Sequence, residues 1–315
     1  MIDNFLFSLN VVAPVFILIF VGYLSKQLNF INENFVNVTS KFAFNISLPV
    51  LIFMQVSSLN LNGVIDFELI SFIYITTISS FILIWIFSIP LIKNSKDRSS
   101  FIQGAFRSNF AIIGFAIISS LLGKDTLGKA SIILAFILPL YNILAVIVLT
   151  LPRRNEVDFR MKEMINEILF NPLIIAVVVG LIFSFSSIKL PKPVFDSGKL
   201  LADLALPLAL IGIGGSLNLR EIKKAPALAI SSSIIKIVIL PAIFTYIGYL
   251  LNFKGDALVI IYILFASPTA IVSFIMAEAM GANGKLAGNI ILISTIGSVF
   301  TFSIGIMIMK SLSLI

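Results

Sequence analysis

Two stretches of this chain, 158 residues apart, are copies of one another, and both are made largely of residues that belong in a bilayer. Lys41 to Leu61 (KFAFNISLPVLIFMQVSSLNL) lies on Lys199 to Leu219 (KLLADLALPLALIGIGGSLNL) without a gap, and Lys41, Leu48, Pro49, Ser58, Leu59, Asn60 and Leu61 all find identical partners. The same offset lays Pro14, Ile17, Val21 and Gly22 on Pro172, Ile175, Val179 and Gly180. Apolar bias alone produces chance matches of Leu and Ile; it does not put prolines, glycines and an SLNL tetrapeptide into register. A fold that fits this chain must therefore be built from two related halves. With 59% hydrophobic residues, 12% charged ones and a mean hydropathy of +1.10, it must also be a polytopic membrane fold.

A span needs about 20 mostly apolar residues. That rule gives ten candidates, over 6–28, 37–59, 66–92, 101–122, 126–151, 169–188, 194–217, 225–252, 255–281 and 286–309. The long polar connection Pro152 to Glu167 divides them five and five, so the reading is a first repeat at 1–151, a cytoplasmic linker at 152–167 and a second repeat at 168–315. Five is odd, so the second half enters the bilayer upside down and the repeat is inverted. Basic residues test the count, because cytoplasmic loops are enriched in them. With the N-terminus outside, 13 Lys and Arg fall in inside connections and 7 outside, which favours both termini outside. The opening MIDNFLFSLN has no basic region and no small-residue cleavage site, and reads as the start of a retained first span.

Two of the ten runs are spoiled near the middle. FRSNFAIIGFA, Phe106 to Ala116, carries Arg107, Ser108, Asn109 and Gly114; FASPTAIVSFI, Phe265 to Ile275, carries Ser267, Pro268, Thr269 and Ser273. With one residue of slippage the two also align on each other, Phe106, Ser108, Ala111, Ile112 and Phe115 falling on Phe265, Ser267, Ala270, Ile271 and Phe274. Proline removes a backbone donor, and short polar side chains compete for the peptide groups it frees. Such a break survives in a membrane only where the loosened backbone is buried in protein or faces a water-filled cavity. Paired breaks in matching segments point to the binding site of a transporter.

At these residues the chain resembles the auxin efflux carrier family, the PIN-like carriers whose bacterial and archaeal members are described as permeases for malate, malonate and related organic anions. The resemblance runs through NPLIIAVVVG from Asn171, LPLALIGIGGSL from Leu206, KIVILP from Lys236, SPTAIVSFIMAEAMG from Ser267 and the FRSNFAIIG block. It implies an all-α membrane protein similar to the bile acid sodium symporters: ten transmembrane helices in a 5+5 inverted repeat. In that pattern helices four and nine are broken and cross, helices one, two, six and seven form a scaffold, and substrate moves by an elevator-like shift, often in a homodimer. The chain departs from plant-like members at one place. They carry a proline shortly after the glycine of the fourth span, where Phe115 and Ala116 stand here, so the first break reads as the softer one.

Polar groups inside spans are functional candidates, because burying them in lipid is costly. Asn109 stands beside the amides that open the following half-helix, whose partial positive charge suits an anion. Arg107 presents a fork that fits a carboxylate, although it lies about two turns from the inner boundary, within snorkelling reach. Ser108, Gly114, Ser267, Pro268, Thr269 and Ser273 complete the expected substrate site. Glu278 falls on the same inner side and is a candidate gate partner for Arg107. Asp203 and Lys236 sit near mid-depth and are candidates for a coupling or gating role; Asp203 occupies the place that Asn45 holds in the first repeat. Gln55 and Asn142 read as helix-to-helix glue, and Gly212, Gly214 and Gly215 as sites of close packing.

The leading function is a secondary active transporter in the cell membrane for a small organic anion such as malate, malonate or an auxin-like carboxylate. The alternatives are a sodium- or proton-coupled symporter or antiporter of similar fold, or a receptor without turnover; the coupling ion stays open. The chain has no histidine and no cysteine, which removes triad hydrolysis, thiolate chemistry and the usual zinc sets, so it reads as no enzyme, with no cofactor and no metal. Its basic residues are dispersed through loops and do not point to nucleic acid.

Overall fold

The computed structural model describes residues 2–58, 66–150, 170–186, 190–217 and 226–314. The expected linker at 152–167 lies outside the described residues, as do the last three residues of the first SLNL tetrapeptide and the last two of the second. The described chain is helical throughout. In order come α1 (Ile2–Gln27), α2 (Glu33–Phe42), α3 (Leu48–Ser57), α4 (Phe67–Leu91), α5 (Ser95–Phe106), α6 (Phe115–Leu122), α7 (Lys124–Thr150), α8 (Pro172–Phe185), α9 (Lys192–Ser216), α10 (Ala227–Ile234), α11 (Leu240–Leu250), α12 (Asp256–Ala266), α13 (Val272–Ala279) and α14 (Gly284–Ser311). Wide π-turns at Ala43–Ser47 and Ile235–Ile239 join α2 to α3 and α10 to α11 into continuous rods. A third, Phe110–Gly114, leads into α6.

Seven of these rods are long and apolar enough to cross a membrane, and Phe110–Leu122, Pro172–Phe185 and Asp256–Ala266 are shorter apolar helices. Every apolar run read from the sequence coincides with a rod or with a broken pair. Helix starts are set by short polar side chains that accept an otherwise orphaned amide. Asn32 takes the amide of Phe35 and Asp66 that of Leu69; Asn171 takes that of Leu173 and Asn283 that of Leu286.

Helices approach closely where glycine removes the side chain between them. A methyl group on Gly22 of α1 would overlap the carbonyl of Ile211 on α9, and one on Gly214 would overlap the carbonyl of Ile19. Gly180 of α8 sits against α3, where an added carbon would lie 2.9 Å from Cβ of Val56 and 3.3 Å from the carbonyl oxygen of Phe53. The edge-on ring pair Phe53 and Phe183, 5.2 Å apart, lies in the same seam. These contacts draw α1, α2, α3, α8 and α9 into one packed group.

The second group is α4, α5, α7 and α10 to α14, tied by side chains that bond to backbone on a neighbouring helix. Tyr74 of α4 donates to the carbonyl of Phe136 on α7 at 2.6 Å, Ser232 of α10 to Phe101 on α5 at 3.0 Å, and Ser233 to Ile290 on α14 at 3.2 Å. Such bonds hold helices where lipid offers no hydrophobic drive. At one end of this group Asn283 closes a clasp, its amide donating to Asp97 at 2.7 Å while its carbonyl takes the hydroxyl of Ser100 at 2.9 Å.

Candidate functional site

The two interruptions meet. α5 stops at Phe106 and α12 stops at Ala266, and the extended residues beyond them pair as a short antiparallel bridge, Ser108 opposite Thr269. The amide of Asn109 donates to the carbonyl of Pro268 at 2.7 Å, and that of Ala270 donates to the carbonyl of Arg107 at 3.3 Å. The carbonyl of Asn109 then takes the amides of Ile113 and Gly114, which opens the wide turn into α6. The first gap spans three residues, Arg107 to Asn109, and the second runs from Ser267 to Ile271, so the break with the proline is the longer one.

Each break orphans carbonyls that an unbroken helix would satisfy four residues on, and side chains from both halves supply the replacements. Position 268 would have bonded Leu264, but proline has no amide hydrogen; the hydroxyl of Ser108 caps that carbonyl at 2.6 Å. The carbonyl of Gly104 is capped at 2.6 Å by the hydroxyl of Thr269. Thr269's own amide goes to Ser294 on α14 at 3.1 Å, and the carbonyl it leaves, that of Phe265, takes the ammonium of Lys236 at 2.5 Å. Ser267 folds back on Ile263 at 2.6 Å. Neutral backbone dipoles buried without partners cost several kcal/mol in lipid, and these reciprocal caps are the reason two broken helices coexist here.

Arg107 turns into the protein and is only 4% exposed. Its guanidinium donates to the side-chain oxygen of Asn142 on α7 at 2.7 Å and contacts the sulfur of Met276 on α13 at 2.7 Å. Asn109 is buried too, and its side chain makes no cap bond to the helix it precedes. Gly114 is closely fitted, because an added carbon would stand 2.5 Å from the ring of Phe110 and 3.0 Å from the hydroxyl of Ser267 and would have to push them aside.

Around this centre lie buried polar atoms without a hydrogen-bond partner among the described residues: the phenol of Tyr141, the hydroxyls of Thr77 and Ser273, and the side-chain carbonyl of Gln103. Tyr141 packs its ring on Phe106 and presents its oxygen beside Thr77, Ser108 and Arg107. Native interiors rarely leave such groups unsatisfied, and the hydroxyls of Tyr141, Thr77 and Ser108 stand near enough to interact with one another. In sequence, Thr77, Gln103 and Tyr141 look like ordinary residues of apolar spans.

The remaining expected residues separate. Lys236 is fully buried, whereas Asp203 and Asn45 lie on exposed faces of α9 and of the Ala43–Ser47 turn. The partner of Lys236 is a backbone carbonyl, that of Phe265. Glu278 belongs to α13, and its side chain lies outside the described residues.

A buried, cation-bearing polar centre between two interrupted helices, set in a bundle of apolar rods, marks a multi-pass membrane protein. The chain belongs to the membrane transport protein family, whose sequence model matches residues 7–306. It is 24% identical over 296 residues to an uncharacterized transporter of Methanothermobacter thermautotrophicus, covering 93% of this chain and 95% of the relative. It is 22% identical over 307 residues to an uncharacterized transporter of Methanocaldococcus jannaschii, covering 94% and 97%. A Rhizobium meliloti protein named as a proposed malonate transporter is 26% identical over 298 residues, covering 93% and 92%. It is a transport family and not one of enzymes, in keeping with the sequence reading.

Proposed function

We propose that the protein is a secondary carrier for a small organic carboxylate, malonate, malate or an auxin-like acid, working by alternating access at the paired breaks. The observation that carries this reading is the placement of Arg107, Asn109 and the buried oxygens of Thr77, Gln103, Tyr141 and Ser273 around the Ser108–Thr269 bridge. Arg107 is buried beside the bridge and holds Asn142 and Met276, and its planar guanidinium fork matches a carboxylate through charge-assisted hydrogen bonds. The phenol and hydroxyl donors and the amides that open each half-helix add to the same attraction. The name given to the Rhizobium relative points to the same class of cargo.

In this reading the seven long rods, the short α8 and the two broken helices are ten spans in a 5+5 inverted repeat. The contacts support it: moving Gly22 forward by 158 gives Gly180, and moving its partner Ile211 back by 158 gives Phe53, the partner of Gly180. The group α1, α2, α3, α8 and α9 is the scaffold, and the group around the bridge shifts against it as an elevator in the cell membrane, both termini outside, as one half of a homodimer.

Uptake of labelled malonate, malate and indole acetate into liposomes holding the purified protein tests the reading, run with and without sodium and pH gradients. Saturable uptake of at least one carboxylate, lost on Arg107→Gln, is the expected result. Binding without flux under every gradient would return the molecule to the receptor class.

A further inference from the structure

We propose that the ammonium of Lys236 is a built-in cation at the C-terminal end of α12, filling the place an exchangeable alkali ion would otherwise take, so that the carrier runs without sodium. The transport half of this inference rests on the function proposed above; the cation site itself does not.

Lys236 is 0% exposed and bonds a backbone carbonyl, that of Phe265, at 2.5 Å. A charge inside a span is expensive and is kept where it faces a compensating group. The compensating group here is a helix end, which carries about half a negative charge on its unsatisfied carbonyls. The neighbouring carbonyls of the same turn, those of Ile263 and Leu264, are closed by the neutral hydroxyls of Ser267 and Ser108. Phe265 alone of the three receives a cation.

The first repeat has no lysine at the matching position. Gly104, in the last turn of the equivalent half-helix α5, is capped by the hydroxyl of Thr269, and the residue 158 positions before Lys236 is Ile78. The asymmetry therefore belongs to α12. Lys236 also stands in the wide turn Ile235–Ile239, a feature that re-aims side chains and recurs at functional sites. Carbonyl and hydroxyl oxygens without a lysine are the donors that hard cations prefer. Removing the ammonium would leave the carbonyl of Phe265, at the open end of α12, without the charge that faces it.

The test is thermal unfolding of the purified protein in sodium, lithium, potassium or choline chloride at equal ionic strength, for wild type, Lys236→Met and Lys236→Gln. Wild type is expected to melt at one temperature in all four salts. The variants are expected to melt lower in choline and to recover half or more of the loss in sodium or lithium. A sodium-dependent melting temperature in wild type overturns the assignment, as does a folded variant indifferent to all four salts; should neither variant fold, the wild-type series decides. In liposomes, malonate uptake by wild type should be equal in sodium and choline, and that of the variants at least two-fold slower in choline. Absence of uptake in every salt overturns the carrier reading while leaving the melting series to judge the cation site.

Discussion

Replacing Thr269 by valine isolates one of the two caps that let the helix breaks face each other. Valine keeps the shape of threonine and removes the hydroxyl that donates to Gly104 at 2.6 Å. That carbonyl has lost its helical partner to the break, and Thr269 is fully buried, so water does not replace the donor. An unsatisfied buried acceptor costs about 1–3 kcal/mol, which is roughly a 5- to 150-fold shift of the unfolding equilibrium. Thr76→Val is the matched control, since the Thr76 hydroxyl returns to Phe72 of its own helix at 2.6 Å and that helix is unbroken there. Such back-bonding contributes little or slightly weakens a helix. Reversible unfolding in a graded series of denaturing detergent reads both variants against wild type. Equal, small effects of the two substitutions would refute the claim that the breaks are held by reciprocal caps.

Gly214→Ala should separate α1 from α9, because the new methyl group meets the backbone of Ile19 and Tyr23 and not a movable side chain; overpacking of this kind costs about 1–3 kcal/mol or more, and an unchanged melting curve would contradict it. Arg107→Lys keeps the charge and loses the planar fork. Its half-saturating carboxylate concentration should rise by about ten-fold or more, the worth of a charge-assisted hydrogen bond, whereas unchanged affinity would remove Arg107 from the substrate. Gly114→Ala forces the Phe110 ring and the Ser267 hydroxyl aside, so uptake should fall while the protein still inserts; wild-type rates would show that the turn into α6 is not strictly fitted.

Much of the fold was legible because bilayer physics leaves few choices. Runs of about 20 apolar residues become spans, and the ten runs fall on helices within a few residues. Arg107 to Asn109 and Ser267 to Thr269 were visible as breaks because proline and short polar residues are out of place in such runs, and their alignment hinted that they meet. The partners within the site were not legible. Lys236 bonds a backbone carbonyl 29 residues away, and backbone carries no sequence signature, so which partner its charge takes was not legible. Thr77, Gln103 and Tyr141 gave no sign because hydroxyls and amides in spans usually bond their own or a neighbouring helix; only packing reveals that they gather beside Arg107 and Ser108.

The most direct measurement of the meeting of the two breaks is a cross-link between them. The chain contains no cysteine, and Ser108 and Thr269 oppose each other without exchanging their own backbone bonds, a geometry with alpha carbons about 4.5 Å apart that admits a disulfide. Residues 1–151 and 168–315 would be co-expressed as separate halves carrying Ser108→Cys and Thr269→Cys, and oxidised in the membrane. Covalent joining of the halves, reversed by a reducing agent, is the predicted result. Halves that insert and take up thiol label at both cysteines, yet stay separate after oxidation, would contradict the account.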